Sequence, residues 1–353
     1  MANSKTRILV VDDSALMRKV ISEIISAEPD LEVIDKAKDG KEALEKILTL
    51  KPDVVTMDVN IPLMDGIEVL KEVMLKQPTR VIMLSAYTQP GAAATMKALE
   101  LGAVDFIAKP SGEVSLDLHK LKGEIISKVR LASRIDLEKL LFTLKHSTFI
   151  EERAKKEPVL IKKLVVIGAS TGGPKAILGI MQNIPADIPA AFLIVQHMPE
   201  GFTLSFAERI SWQSGVKAKE AEDEDIVLAG KAFVAPAGYH SVLEEQNNKY
   251  RIKLNRDALV NFVRPSIDVT LNSAAEVFGK DVIAVILTGM GRDGLEGARK
   301  IKEKGGLIIV QDEATSVIWG MPKVVCEAGL ADKVLPIFKI PEAIVEEIKK
   351  DAR

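Results

Sequence analysis

The chain has a single cysteine, Cys326, among its 353 residues. One thiol excludes an internal disulfide and any cysteine-rich metal site, and it fits a reducing cytosol. Excess charge of either sign is missing too. The formal net charge is −2, so no general field draws the chain toward nucleic acid or an anionic membrane. No apolar run approaches the ~18–20 residues of a membrane span, and the run in MANSKTRILVVDD is too brief for a signal peptide. Neither a repeat of about 20–50 residues nor a low-complexity tract is found. Histidines number only four, so each can be weighed singly. What the chain does have is 47% hydrophobic residues, enough for sizeable cores, and a length that suits two domains or three.

Over the first 110 residues, short apolar runs (RILVVDD, LEVIDKA, PDVVTMD, RVIMLSA, VDFIAKP) alternate with amphipathic stretches such as SALMRKVISEII and GKEALEKILTL. This rhythm predicts βα units and a parallel sheet of five strands. Residues 116–157 are charged, poor in glycine and mostly helical in pattern. Their first half predicts the last helix of the first domain, and their second half a linker ending near Pro158. His119 and His146 fall in this stretch and are expected to be solvated. Alternation resumes in KLVVIGAS, AFLIVQH, AFVAP, VIAVILTG and GLIIVQDE. YHSVLEEQNNKYRIKLNR reads differently, as two strands about an Asn-Asn turn. The second half is therefore expected to be a mostly parallel α/β sheet with an antiparallel hairpin. His240, just before the hairpin, is expected to serve packing.

In such sheets functional groups gather where strands end. The first run ends in Asp12 and Asp13, the third in Asp58, the fourth in Ser85 and the fifth in Lys109. If these strands are neighbours, carboxylates, a hydroxyl and an ammonium share one crevice. Crowded carboxylates raise each other's pKa unless a cation joins them, and a hard divalent ion such as Mg²⁺ suits oxygen ligands. Taken singly, an acid or serine after a strand is equally well explained as a helix N-cap, and Asp13 or Ser14 before ALMRKVI would serve. The joint pattern argues for more. VVDDS, MDVNIPLMDG, LSA and AKP make residues 7–123 resemble a two-component receiver domain. The resemblance implies that Asp58 accepts a phosphoryl group from a histidine kinase. It further implies that Asp13, Asp58 and the carbonyl of Asn60 hold Mg²⁺, that Asp12 supports the site, that Ser85 senses the phosphoryl group and that Lys109 pairs with it. Phe106 stands where receivers place a switch aromatic.

In the second half, Gly168-Ala-Ser170-Thr-Gly172 matches a G-x-S-x-G elbow, whose glycines let a serine stand clear at a helix N-terminus. A serine nucleophile needs a base. The next strand ends in His197, which can reach a neighbouring strand end, although a lone histidine there is more often satisfied by backbone. A third strand runs into GMGRDG, where Asp293 could orient an imidazole. The same letters are also a G-x-G-x-x-G after a strand, with Asp312 and Glu313 about 20 residues on, the pattern of a dinucleotide site. A carboxylate inside that loop would repel a pyrophosphate. From the residues alone three readings stand: a Ser-His-Asp triad, a nucleotide-dependent oxidoreductase, and no chemistry, with Ser170 a cap in a binding module.

IGASTGGP, VQHMP, FVAPAG, LTGMGRDG and the MPK of WGMPKVV make residues 161–348 resemble the catalytic domain of the chemotaxis response-regulator methylesterases. The resemblance implies a triad of Ser170, His197 and Asp293, with backbone amides near Thr171 and Met290 as the oxyanion hole. It implies hydrolysis of glutamate γ-methyl esters on the methylated helices of chemoreceptors, deamidation of receptor glutamines, no cofactor for the esterase step, and a cytoplasmic location. It implies a doubly wound, flavodoxin-like receiver over residues 1–125, a helical, charged linker over 126–160 and a doubly wound catalytic domain over 161–353. It also implies that the unphosphorylated receiver covers the esterase cleft, with the stretch near 134–158 as hinge. A DNA-binding output is not expected, because no basic stripe or compact helix-turn-helix is present.

Overall fold

The alternation of apolar runs and amphipathic stretches becomes strands and helices in a computed structural model, which describes residues 5–86, 88–109, 114–145 and 161–350. Pro110, His146, Pro158 and much of the expected linker lie outside the described residues, as does the side chain of His119. The chain separates into two units, Met1–Leu144 and Lys145–Arg353.

The first unit runs β1 (Thr6–Val11), α1 (Ala15–Ser26), β2 (Leu31–Ala37), α2 (Gly40–Leu50), β3 (Val54–Asp58), α3 (Gly66–Lys76), β4 (Arg80–Ala86), α4 (Gln89–Leu101), β5 (Asp105–Lys109), α5 (Val114–Ser133) and α6 (Leu137–Lys145). Its sheet has the order β2-β1-β3-β4-β5, and every pairing is parallel. Ile8, Leu9, Val10 and Val11 are fully buried, as a central strand covered on both faces requires. Helix starts follow capping chemistry. Ser14 caps α1, Asp39 caps α2, and Asp65 with Glu68 forms a capping box on α3. Helix α5 continues through residue 125 to Ser133. Near its end Arg130 reaches back to Asp30, at 2.6 and 2.8 Å, and to Glu28, at 2.7 Å.

The second unit runs β6 (Lys163–Ala169), α7 (Gly173–Met181), β7 (Ala190–Gln196), α8 (Phe202–Gln213), β8 (Lys217–Glu220), β9 (Asp225–Ile226), β10 (Lys231–Val234), β11 (His240–Gln246), β12 (Lys249–Asn255), α9 (Ile267–Phe278), β13 (Val282–Ile286), α10 (Leu295–Glu303), β14 (Leu307–Gln311), α11 (Met321–Glu327), β15 (Lys333–Leu335) and α12 (Ile340–Lys350). Seven strands form one sheet in the order β15-β14-β13-β6-β7-β10-β8, again parallel throughout. The hairpin is present, and Asn247 and Asn248, at φ 52° and 61°, make its turn. It does not extend the main sheet. It pairs with β9 in a separate sheet of three strands and is tied to α9, where Thr270 Oγ1 donates to the Ser241 carbonyl at 2.8 Å and Ser273 Oγ accepts from Leu243 N–H at 3.0 Å.

In both sheets the first strand of the unit lies inside, and the chain winds outward from it in two directions. The crevice at such a switch point is where α/β sheets bind ligands. In the first unit it opens between β1 and β3. In the second it opens between β6 and β13, with β7 on the far side of β6.

Candidate active site and acidic pocket

Ser170 follows the last residue of β6. Its N–H donates to the Thr288 carbonyl at 3.0 Å, and its own carbonyl accepts from Gly173 N–H at 2.8 Å. His197 follows the last residue of β7, and its N–H donates to the Ala169 carbonyl at 3.1 Å. The two residues are thereby fixed to adjacent strand ends. Gln196 adds a clamp. Its side-chain amide donates to the carbonyls of Ser170 and of His197, each at 3.0 Å. A Cβ on Gly173 would stand 2.1 Å from Gln196 Oε1, which explains the second glycine of STGGP. Gln311, at the end of β14, acts similarly on the other flank, accepting from Thr288 N–H at 2.8 Å.

The GMGRDG loop brings Asp293 to His197, with Oδ2 2.8 Å from Nε2. That bond occupies Nε2, so Nδ1 is the ring nitrogen that remains to act as a base. The Ser170 hydroxyl makes no hydrogen bond to the ring among the described residues; in enzymes without substrate such bonds are commonly long. Gly289 is held close to the serine, since a Cβ there would lie 2.8 Å from Ser170 Cβ. His240 stays apart from this chemistry, as expected. It is buried, Nε2 lies 3.0 Å from the Ala258 carbonyl and Nδ1 accepts from Ser266 N–H at 3.2 Å.

Asp293 is only 2% exposed, and a buried charge must be matched. The match comes from the first turn of α9. Oδ2 accepts from Ile267 N–H at 2.7 Å, and Oδ1 accepts from Ser266 Oγ at 2.7 Å, Asp268 N–H at 3.1 Å and Asn261 Nδ2 at 3.0 Å. Helix N-termini favour anions. Burial alone would raise the Asp293 pKa, but the bond and charge of His197, the Ile267 amide and the Ser266 hydroxyl outweigh it. The carboxyl is held below the usual carboxylate range. Asp268 is the contrasting neighbour. Burial pushes it upward, the charge of Asp293 adds to the rise, and the Gly297 amide and Asn261 oppose it.

Three of these supporting groups were not anticipated: Gln196, Asn261 and Ser266. Ser266 with Asp268 does carry a helix-start signature after Pro265. Nothing local shows that this helix start receives a carboxylate from 27 positions downstream.

In the first unit the expected pocket assembles. One carboxylate oxygen from each of Asp12, Asp13 and Asp58 lies within 4.8 Å of the others. Lys109 Nζ bridges Asp12 Oδ2 and Asp58 Oδ2, each at 2.7 Å. Capping of α1 falls to Ser14, so Asp13 is not needed for it. Burial raises the Asp58 pKa, Lys109 opposes the rise and Asp12 adds to it. Burial would lower the Lys109 pKa, but the two carboxylates raise it beyond the ordinary value. Asn60 N–H donates to Asp58 Oδ1 at 3.3 Å. Ser85 is buried and its hydroxyl donates to the Gly91 carbonyl at 3.0 Å, so it is turned toward α4 and not bonded to Asp58. Phe106 is buried, with Lys128 Nζ 5.2 Å from its ring centre. Clustered hard oxygen donors beside one lysine fit a divalent ion such as Mg²⁺.

Comparison with known proteins shows the family. The CheB methylesterase family model matches residues 165–344, and the response regulator receiver domain model matches residues 8–119. The protein-glutamate methylesterase/protein-glutamine glutaminase of Thermotoga maritima is 48% identical over 346 residues, covering 98% of this chain and 99% of that protein. The protein of the same name from Pyrococcus horikoshii is 46% identical over 346 residues, covering 98% of this chain and 94% of that protein. The crystal structure of the Thermotoga maritima CheB methylesterase catalytic domain matches with a TM-score of 0.53 at 48% identity, over 53% of this chain and 100% of that one. The chain belongs to the CheB methylesterase family.

The lowered pKa of Asp293 has a consequence for stability. The contribution of its network is complete above the ordinary value of 3.8 and is lost as pH falls through the lower folded value. Asp268, shifted upward, acts with the opposite sign at milder acidity. Trp212 and Trp319, the only tryptophans, both lie in the second unit. Denaturation followed by their fluorescence is expected to show a loss of stability below pH 4 that is shallower in Asp293→Asn. An equally steep acid limb in the variant would contradict this assignment.

Proposed function

We propose that this chain hydrolyses γ-methyl esters of glutamate on chemoreceptors to glutamate and methanol, and deamidates receptor glutamines, under the control of a phosphorylated receiver. The observation that carries the reading is the His197–Asp293 pair standing beside Ser170 at the ends of three neighbouring strands. The names of the Thermotoga and Pyrococcus relatives carry both activities.

Asp293, held as a carboxylate by the start of α9, orients the ring with Nε2–H toward itself and the Nδ1 lone pair toward Ser170. Nδ1 takes the proton of Ser170 Oγ as the oxygen attacks the ester carbon. The charge that develops on the carbonyl oxygen is met by backbone amides at Thr171 and Met290, and one such donor is worth about 10²–10³ in rate. Met290 N–H donates to no protein group among the described residues, which supports this role. Collapse of the tetrahedral intermediate breaks the bond to methoxide, which leaves as methanol with the proton from Nδ1. Water, deprotonated by the same nitrogen, then attacks the acyl-serine and releases glutamate. With a glutamine the leaving group is ammonia and the rest is unchanged. These steps use no cofactor.

In the first unit Asp58 is the phosphoryl acceptor, and a chemotaxis histidine kinase is the donor. Asp13, Asp58 and the Asn60 carbonyl would hold Mg²⁺, which neutralises the charge of the transferring phosphoryl group. Asp12 keeps Lys109 in place, and Lys109 pairs with the new phosphoryl oxygens. Ser85 exchanges its bond to Gly91 for one to the phosphoryl group, and Phe106 responds as the switch aromatic. Under this reading the receiver occupies residues 1–125, a connector 126–160 and the catalytic part 161–353. No helix among the described residues is long and apolar enough to cross a membrane. The protein acts in the cytoplasm on receptor segments exposed there, with no nucleic acid partner.

Methanol release from methylated receptor membranes, with and without acetyl phosphate and Mg²⁺, tests the reading. Release should rise with the phosphodonor. Ser170→Ala should lose about 10⁴-fold or more, and Asp58→Asn should lose only the stimulation. Unchanged hydrolysis in Ser170→Ala would make the serine a cap, and full stimulation of Asp58→Asn would refute the phosphorylation site. Gln196→Leu leaves two strand-end carbonyls without their donor. It is expected to lower kcat on the order of a hundredfold, the effect of a displaced nucleophile, with a smaller change in KM. A kcat equal to that of the native chain would show that the clamp is dispensable.

A further inference from the structure

Between β12 and α9 the chain makes a two-residue turn. Val260 N–H donates to the Val263 carbonyl at 3.3 Å, and Val263 N–H donates to the Val260 carbonyl at 3.1 Å. The central residues Asn261 and Phe262 both have left-handed backbones, at φ 53° and 65°. Such a turn favours asparagine followed by glycine. Asn261 obeys the rule and Phe262 breaks it, because a bulky side chain in this region of φ is a true outlier. Phe262 gains nothing from the core in exchange, being 95% exposed. Neither turn preference nor burial accounts for a phenylalanine here, and strain of this kind collects at functional positions.

Its position says what the function is. Asn261 Nδ2 donates to Asp293 Oδ1 at 3.0 Å and to Asp268 Oδ2 at 2.8 Å, so the turn is pinned to the carboxylate that orients His197. Arg264 Nη1 steadies its base through the carbonyls of Arg256 and Asp257, at 2.8 and 2.7 Å. Two more large apolar side chains are exposed on the loops that carry this network, Leu259 at 58% three residues before Phe262 and Met290 at 59% in the loop that carries Asp293. An α-helix with its side chains is about 10–12 Å across. A helix that delivers one side chain to Ser170 therefore extends over the neighbouring loops as well.

Resting on the esterase reading above, we infer that Phe262, with Leu259 and Met290, is the docking contact that seats the apolar flank of the receptor helix and so selects a helical substrate over a bare ester. The occupant is the substrate helix, since the turn is bonded to Asp293 and Met290 follows Gly289, which is held against Ser170. Phe262 is a specificity-determining residue and takes no part in proton transfer.

The test compares the full-length native chain, Phe262→Gly and Phe262→Leu on two substrates: methylated receptor membranes and free glutamate γ-methyl ester. Glycine relieves the left-handed backbone, so Phe262→Gly should melt at a higher temperature than the native chain. Its kcat/KM on receptor should nevertheless fall about 10- to 30-fold, mainly through KM, as for loss of an interface anchor, while that on the free ester falls less than about twofold. Phe262→Leu should keep most of the receptor activity. Receptor activity within about twofold of native in Phe262→Gly, or a parallel fall on both substrates, would overturn the inference. Methanol from neither substrate with the native chain would overturn the esterase reading itself, and the inference with it.

Discussion

A single buried carboxylate organises the catalytic unit. Asp293 is held among His197 Nε2, two amides at the start of α9, the Ser266 hydroxyl and the Asn261 amide. Each donor comes from a different demand on the chain. The helix start must lie against the loop after β13, which requires α9 to pack on α10 and on the hairpin. The loop before α9 must bend back, and His240 secures it by bonding Ala258 at one end and Ser266 at the other. Removing a partner from a buried charge commonly costs about 3–5 kcal/mol, so this network is both a stability element and the frame of the site. The same helix dipole that stabilises the carboxylate keeps it an acceptor for the imidazole N–H.

The two units solve a common geometric problem with different chemistry. Each has a parallel sheet with its switch point inside, and each places reactive groups just beyond the ends of the strands there. In the first unit those groups are carboxylates gathered around Lys109. Under the proposed reading, that arrangement takes up Mg²⁺ and a phosphoryl group. In the second unit the groups are an uncharged serine, a histidine and one fully satisfied aspartate. Burial therefore raises Asp58, which has few donors, whereas Asp293, with five, is held low. Sheet topology sets where the groups stand, and the donor count sets what they can do.

Much of this was legible in the amino-acid order. Strand ends are marked by apolar runs stopping at polar residues, so Asp12, Asp58, Lys109, Ser170 and His197 could be placed from the amino-acid order, and Asp293 in the glycine-rich loop after β13. The two-asparagine hairpin turn was equally plain. Short strands were not. β8 reads KAKE, a charged edge strand with no apolar run, and β9 has only two residues. The separate three-stranded sheet therefore did not show in the pattern. Supporting residues were hidden for another reason. Gln196 acts on backbone carbonyls, and Asn261 acts on a carboxylate 32 positions away. Both depend on contacts that only the folded chain creates.

The central claim is that Asp293 holds His197 through Nε2, leaving Nδ1 as the base toward Ser170. Nitrogen-15 NMR of the full-length chain with labelled histidine measures this directly. The account predicts that the neutral His197 ring carries its proton on Nε2, with Nδ1 bare, and that Asp293→Asn redistributes the two tautomers. A proton on Nδ1 in the native chain, or a tautomer unchanged by Asp293→Asn, would contradict it.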